Sequence, residues 1–208
     1  MKPSESHVVY GLTGGVGAGK SEILRYIGTH YTCRIIQADE VGRELMQKGR
    51  SVYRALVREF GEGILAPDGS IDRSAFARQL FSNPDDLKRA NKTEHPIIRD
   101  SILRRIRRTK CRHIFLEAAL LQEGGLIPLC KEVIVVTADP ETRIKRLMAS
   151  RGYTEEKTRT VMAGQLSDEA FLGIADHVID TGGTLEDTYE KTRQLMAGLE
   201  VPVKHDTV

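Results

Sequence analysis

The sequence predicts an α/β protein: a five-stranded parallel sheet flanked by helices. Two observations predict it. Short, β-branched apolar runs recur along the chain and stop at polar or glycine residues, the first of them at a glycine cluster. Stretches with apolar residues at helical spacing separate these runs. Such alternation implies right-handed crossovers and parallel pairing.

The first strand is read at Val8-Val9-Tyr10-Gly11-Leu12, a run suited to burial on both faces, and a helix follows from Lys20 to about His30. The second strand is Cys33-Arg34-Ile35-Ile36, ending at Gln37-Ala38-Asp39. The third is His113 to Leu116, ending at Glu117. The fourth is Glu132 to Val136, ending at Thr137-Ala138-Asp139-Pro140, and a short fifth is His177-Val178-Ile179, ending at Asp180. About 75 residues separate the second and third strands, far more than one crossover helix needs. Helical spacing there runs through Val52, Leu56 and Phe60, then Phe76, Leu80 and Leu87, then Ile98, Ile102, Leu103 and Ile106. Pro67-Asp68-Gly69 and Asn83-Pro84 mark turns. The expected organisation is a core of about 7–44, 112–139 and 170–200, a helical insertion of about 45–111 and a small Arg-rich extension of about 140–169. The tail after Glu200 reads as frayed.

The 208 residues suffice for one domain that needs no staple. The 31 basic and 29 acidic residues nearly cancel, which argues against a generic nucleic-acid partner. They conceal a local excess, however. Seven Lys and Arg lie between Arg99 and Arg112, a stripe able to steer a polyanion or simply to be solvated. Cys33, Cys111 and Cys130 are far apart and odd in number, so they read as reduced thiols. No signal-peptide pattern or membrane-length apolar run is present, and a cytoplasmic protein is expected.

Gly14-Gly15-Val16-Gly17-Ala18-Gly19-Lys20-Ser21 matches GxxxxGK[ST] between a strand and a helix. Glycines at positive φ turn backbone N–H groups from Gly15 to Glu22 toward phosphate oxygens, and the helix N-terminus adds positive potential. Lys20 can reach the β- and γ-phosphates, and the Ser21 hydroxyl can ligate Mg²⁺. The fold expected is therefore that of the P-loop nucleoside triphosphate hydrolases. A guanine-reading NKxD is missing: Asn91-Lys92-Thr93-Glu94 has Glu for Asp and falls in the helical insertion. Small-molecule phosphoryl transfer fits better, because an insertion and an Arg-rich lid can close around substrate and expel water.

Asp39 ends the second strand at the rim where ligands bind. It suits a general base on an acceptor hydroxyl and equally an N-cap for a helix starting at Glu40. Glu117 suits a carboxylate near the metal or a helix-start cap. Arg146 suits an internal arginine finger or a solvated face. His95, before Pro96, suits a phosphate contact or a turn cap.

Together these residues resemble the dephospho-coenzyme A kinase family over nearly the whole chain. The similar segments are Leu12-Thr13-Gly14-Gly15, Ala38-Asp39 with Arg43-Glu44, His95-Pro96-Ile97-Ile98, Leu120-Leu121 with Glu123, Pro140-Glu141-Thr142 leading to Arg146, Gln165, and Ala175 to Asp180. The resemblance implies phosphorylation of the ribose 3′-hydroxyl of dephospho-coenzyme A by ATP with Mg²⁺, the last step of coenzyme A synthesis. It implies Asp39 as general base, Lys20 and Arg146 as groups neutralising the moving phosphoryl, and Arg43, His95 and Arg99 near the acceptor. Partners beyond these small molecules, whether nucleic acid or membrane, are not implied. The chain departs from the family pattern at Gln37, where Asp is common, at Glu22 for Thr, at Ala119 for Pro and at Thr181 for Asn. A kinase for another nucleoside or nucleotide, or a nucleotide-dependent switch, stays open as an alternative.

Overall fold

The structure is a computed structural model that describes residues 7–204. Its centre is a parallel sheet of β1 (Val8–Thr13), β2 (Arg34–Gln37), β3 (His113–Glu117), β4 (Glu132–Thr137) and β5 (His177–Asp180) in the order β2-β3-β1-β4-β5. The register places Leu12 beside Glu117 and Ile134, and Gln37 beside Glu117. All five carboxyl ends therefore share one rim.

Side chains alternate across this sheet, as a period of two requires. Val9, Ile36, Ile114, Leu116, Val133 and Val135 face one layer, with Ile102 and Ile106 packed against them. Tyr10, Leu12, Phe115, Ile134, Val136 and Ile179 face the other, with Ile23, Ile27 and Met196. Those partners come from α1 (Lys20–His30), α5 (Pro84–Arg108) and α9 (Leu185–Gly198). Burying each such side chain stabilises the fold by roughly 1.5–3 kcal/mol. Both layers are needed because β1 and β3 are apolar on both faces.

Between β2 and β3 lie α2 (Ala38–Leu45), α3 (Ser51–Phe60), α4 (Arg73–Ser82) and the 25-residue α5. Val52, Leu56, Ile64, Ile71, Phe76 and Ala90 form a separate small core. Leu87, expected to join it, is instead exposed. Helix α5 serves both units: Ala90 packs in the small core and Ile102 and Ile106 on the sheet. It runs unbroken through Pro96, so His95 caps no turn. After β4 come α6 (Pro140–Arg151), α7 (Glu155–Ala163) and α8 (Asp168–Leu172).

Residues 201–204 correct the sequence reading of a frayed tail; the rest of that tail lies outside the described residues. Val201 is buried, Thr32 N–H donates to Pro202 O at 2.7 Å, and Lys204 N–H donates to His30 O at 2.7 Å. Burial pushes the Cys33 and Cys130 thiols up to about 11 and about 12, and all three cysteines are free. Neither of those two is a reactive thiolate. Among the described residues no helix is long and apolar enough to cross a membrane.

Candidate active site

Among the described residues three α-helices, α1, α2 and α3, lack a side-chain cap at their start. Helices α4 to α9 each start with a side chain that accepts from their first turn: Asp72, Asn83, Asp139, Thr154, Ser167 and Thr184. Helix α1 starts at Gly19, with φ of 92° and no side-chain cap. Its first N–H groups are left for an anion. Gly14, also at positive φ, could not be another residue: a β-carbon there would sit 2.0 Å from the Val136 carbonyl oxygen.

Lys20 lies across this loop, its Nζ donating to Gly14 O at 2.7 Å and Gly15 O at 3.1 Å. Burial holds its ammonium below the ordinary lysine value, while Glu117 and Asp39 pull the other way. Ser21 is exposed at the first turn. Glu22 is turned away: its carboxylate accepts from Arg25 Nε at 3.2 Å and from the Tyr189 hydroxyl. Its own N–H donates to Gly19 O at 3.1 Å, so both its carboxylate and its N–H are already engaged within the protein.

Beside the loop, a cavity of about 560 Å³ opens between the sheet rim and the insertion. Asp39, Arg43, His95 and Arg99 all line it, on walls of Ile98, Leu120 and Leu126. These four come from α2 and α5, elements far apart in sequence that pack on one another. Helix α2 starts at Ala38, two residues earlier than expected, and its cap position is Gln37. Asp39 is therefore not the cap, and among the described residues its exposed carboxylate makes no hydrogen bond. Arg43 Nε donates to the Asp39 backbone oxygen at 3.3 Å, and Arg99 Nε to Gly125 O at 3.1 Å.

Glu117 is only 8% exposed at the end of β3. Burial pushes its carboxyl above the usual range, with the Lys20 ammonium pulling it back. Gln37 Nε2 reaches Glu117 Oε2 at 3.4 Å. The amide at position 37 thus sets a neutral donor beside a buried acid, where Asp would set a like charge.

Arg146 does not lie on a solvated face. It donates to Thr181 Oγ1 at 2.8 Å and to Thr181 O at 2.7 Å. Thr181 is buried and donates to Ala18 O at 2.8 Å, which ties the end of β5 to the glycine loop. The departure at 181 therefore has a structural job.

The sequence reading gives no site role to three residues that the fold brings here: Arg143 and Arg151, with Arg159, read only as lid charge, and Glu94 only as part of the near-miss NKxD. Arg151, at the end of α6, and Glu94, on α5, line the cavity with Asp39. Arg143 is buried beneath the loop. The signal for Arg143 and Arg151 was the density of Arg on α6, but a helix face cannot be assigned without its neighbours. Arg159 pairs with Glu141 and Glu155 on the surface.

For a divalent cation, the donor set is the Ser21 hydroxyl with Glu117 at the adjoining rim. No cluster of three or more His, Cys, Asp or Glu able to hold a metal occurs among the described residues. This sparse, all-oxygen set fits Mg²⁺, which binds through a few protein oxygens plus substrate phosphates rather than in a protein cage.

Known proteins share this arrangement. A model of the dephospho-CoA kinase family, CoaE, matches residues 8–187. A dephospho-CoA kinase of Streptomyces avermitilis is 39% identical over 191 residues, covering 91% of this chain and 92% of that one. Another, of Geobacter sulfurreducens, is 36% identical and covers 91% and 97%. The crystal structure of TT1252 from Thermus thermophilus has a TM-score of 0.80 at 27% identity and covers 93% and 98%. A shikimate kinase from Acinetobacter baumannii, with a TM-score of 0.51 at 14% identity over 94% and 95%, shares the fold alone. The chain belongs to the dephospho-CoA kinase family.

Proposed function

We propose that this protein transfers the γ-phosphoryl group of ATP to the ribose 3′-hydroxyl of dephospho-coenzyme A, the last step of coenzyme A synthesis, in the cytoplasm. The carrying observation is the position of Asp39. Its carboxylate is unpaired, lines the acceptor cavity and lies within the electrostatic reach of Lys20 in the cradle. One group thus lines the acceptor cavity and acts on the cradle lysine through its charge.

In this reading the triphosphate lies along Gly15 to Ser21, with its β- and γ-phosphates at Lys20. Asp39 accepts the proton of the acceptor hydroxyl as that oxygen attacks the γ-phosphorus. Lys20 and Arg146 neutralise charge on the moving group, Arg146 from beside Gly19. Arg43, His95 and Arg99 take anionic groups of the acceptor, and the walls of Ile98, Leu120 and Leu126 take its apolar parts. Ser21 would hold Mg²⁺, with Glu117 as a further carboxylate at the adjoining rim. When bound, Mg²⁺ withdraws charge from the β- and γ-phosphates. Helices α6 to α8 act as a lid and the segment from α2 to α5 as the acceptor-binding unit.

The test is direct. Purified protein with Mg-ATP and dephospho-coenzyme A should yield coenzyme A and ADP by mass spectrometry. A panel of nucleosides and nucleotides, ranked by kcat/KM, should place dephospho-coenzyme A first. A higher value for another acceptor would reassign the substrate. ATP hydrolysis indifferent to every acceptor would point to a switch.

A further inference from the structure

Arg143 has no part in the chemistry described above, yet it is one of the most deeply buried charges of the molecule, at 4% exposure. Its surroundings are specific. The guanidinium Nε donates to Val16 O at 3.0 Å, and Nη1 donates to Asp168 Oδ1 at 2.8 Å. Nη2 lies 2.2 Å from the point where a β-carbon on Gly15 would sit. A side chain at position 15 would therefore displace the guanidinium from this place. The other backbone group of Val16 is held as well: its N–H donates to Gln165 Oε1 at 2.7 Å. Both polar groups of one loop residue are thus gripped by side chains from α6 and from the connection between α7 and α8.

A buried guanidinium is an expensive way to gain stability, since an apolar side chain of similar volume often does as well or better. Its acid partner, Asp168, is 42% exposed and compensates only in part. Arg143 also adds positive potential beside Lys20, which works against keeping that lysine charged. These costs fall on the glycine loop, in which the Val16 N–H, expected from sequence to meet phosphate, is instead taken by Gln165.

We propose that Arg143, oriented by Asp168, is a positioning residue for phosphoryl transfer: it sets the Gly15–Val16 turn of the cradle and makes the shape of that turn depend on α6 and α8. The planar fork holds two separate acceptors, Val16 O and the Asp168 carboxylate, in one fixed geometry, whereas a lysine offers a single rotatable ammonium on a flexible stem. The assignment rests on the reading of the cradle as the ATP site, but not on the identity of the acceptor.

The experiment compares wild type with Arg143→Met, Arg143→Lys and Asp168→Asn. It measures binding of a fluorescent ATP analogue without acceptor, KM for each substrate, kcat and Tm. Arg143→Met should weaken ATP-analogue binding and lower kcat, each by roughly tenfold, with the dephospho-coenzyme A KM within about twofold of wild type. Arg143→Lys should recover little, and Asp168→Asn should move the same quantities by about threefold. A lower Tm with wild-type ATP binding and kcat in all folded variants would reduce Arg143 to a structural brace and overturn the proposal. So would a change confined to the acceptor KM. If Arg143→Met does not fold, unchanged ATP binding in both conservative variants refutes it. Because analogue binding needs no acceptor, a wrong acceptor assignment leaves this result readable.

Discussion

Asp39 and Glu117 end neighbouring strands at the same rim, yet burial gives them different chemistry. Asp39 is exposed and unpaired, whereas Glu117 is buried beside a neutral amide. Only the first can offer a carboxylate to an incoming hydroxyl without a desolvation cost. Asp39→Asn should therefore cut kcat by roughly 10² or more, with ATP affinity unchanged. Because Asp39 is not the cap of α2, Tm should hold, and a lowered Tm with near-normal kcat would argue against the base. Glu94 differs again. Burial raises its carboxyl above the ordinary value of 4.5, and among the described residues it has no hydrogen bond or ion pair. A carboxyl whose folded value is raised favours the fold below its ordinary range and loses that contribution as pH rises through the folded value. Glu94→Gln, which cannot ionise, should then match wild type in Tm near about pH 4 and exceed it near about pH 8. Asp39 was legible in the sequence because strand ends point to the rim. Glu94 was not, since its helix face is decided by what α5 packs against.

Among the elements, the strands were legible because full burial on both faces writes continuous apolar runs. The start of α2 was misjudged by two residues, since Ala38 carries no capping signal and Asp39 carries a strong but misleading one. The tail was misjudged for a related reason. Val201 and Val203 look like the end of a fading pattern, but they are held by long-range bonds at Thr32, His30 and Tyr31. Truncation after Glu200 should remove about 2 kcal/mol of Val201 burial and lower Tm by several degrees. An unchanged melting curve would restore the frayed-tail reading. At α9, Thr184 and Asp187 form a reciprocal capping box. Thr184→Ala should cost about 1 kcal/mol in denaturant unfolding, with no change in ATP affinity.

Over the whole molecule, charge is distributed by position along α5. Arg99 lines the acceptor cavity, whereas Arg108 lies nine residues further along, about 14 Å down the helix axis. The chain then enters β3 at His113, the edge of the sheet away from the rim. Only the Arg99 end of the basic stripe therefore faces the cavity, and its far end, toward Arg108, lies away from it. Replacing Arg104, Arg107 and Arg108 by Gln should leave the acceptor KM within about twofold, while Arg99→Gln should raise it by roughly tenfold. Equal effects from both changes would return a steering role to the stripe.

The grip on Val16 also bears on how the protein is made. The glycine loop leaves the ribosome well before Arg143, Gln165 and Asp168, which are synthesised more than 120 residues later. β1 likewise waits for β3 and β4 on its two sides. Long-range pairing of this kind is slow to form. A nascent chain carrying the complete glycine motif therefore does not yet hold a shaped cradle. Nucleotide binding arrives only when the segments that close over the substrate already exist.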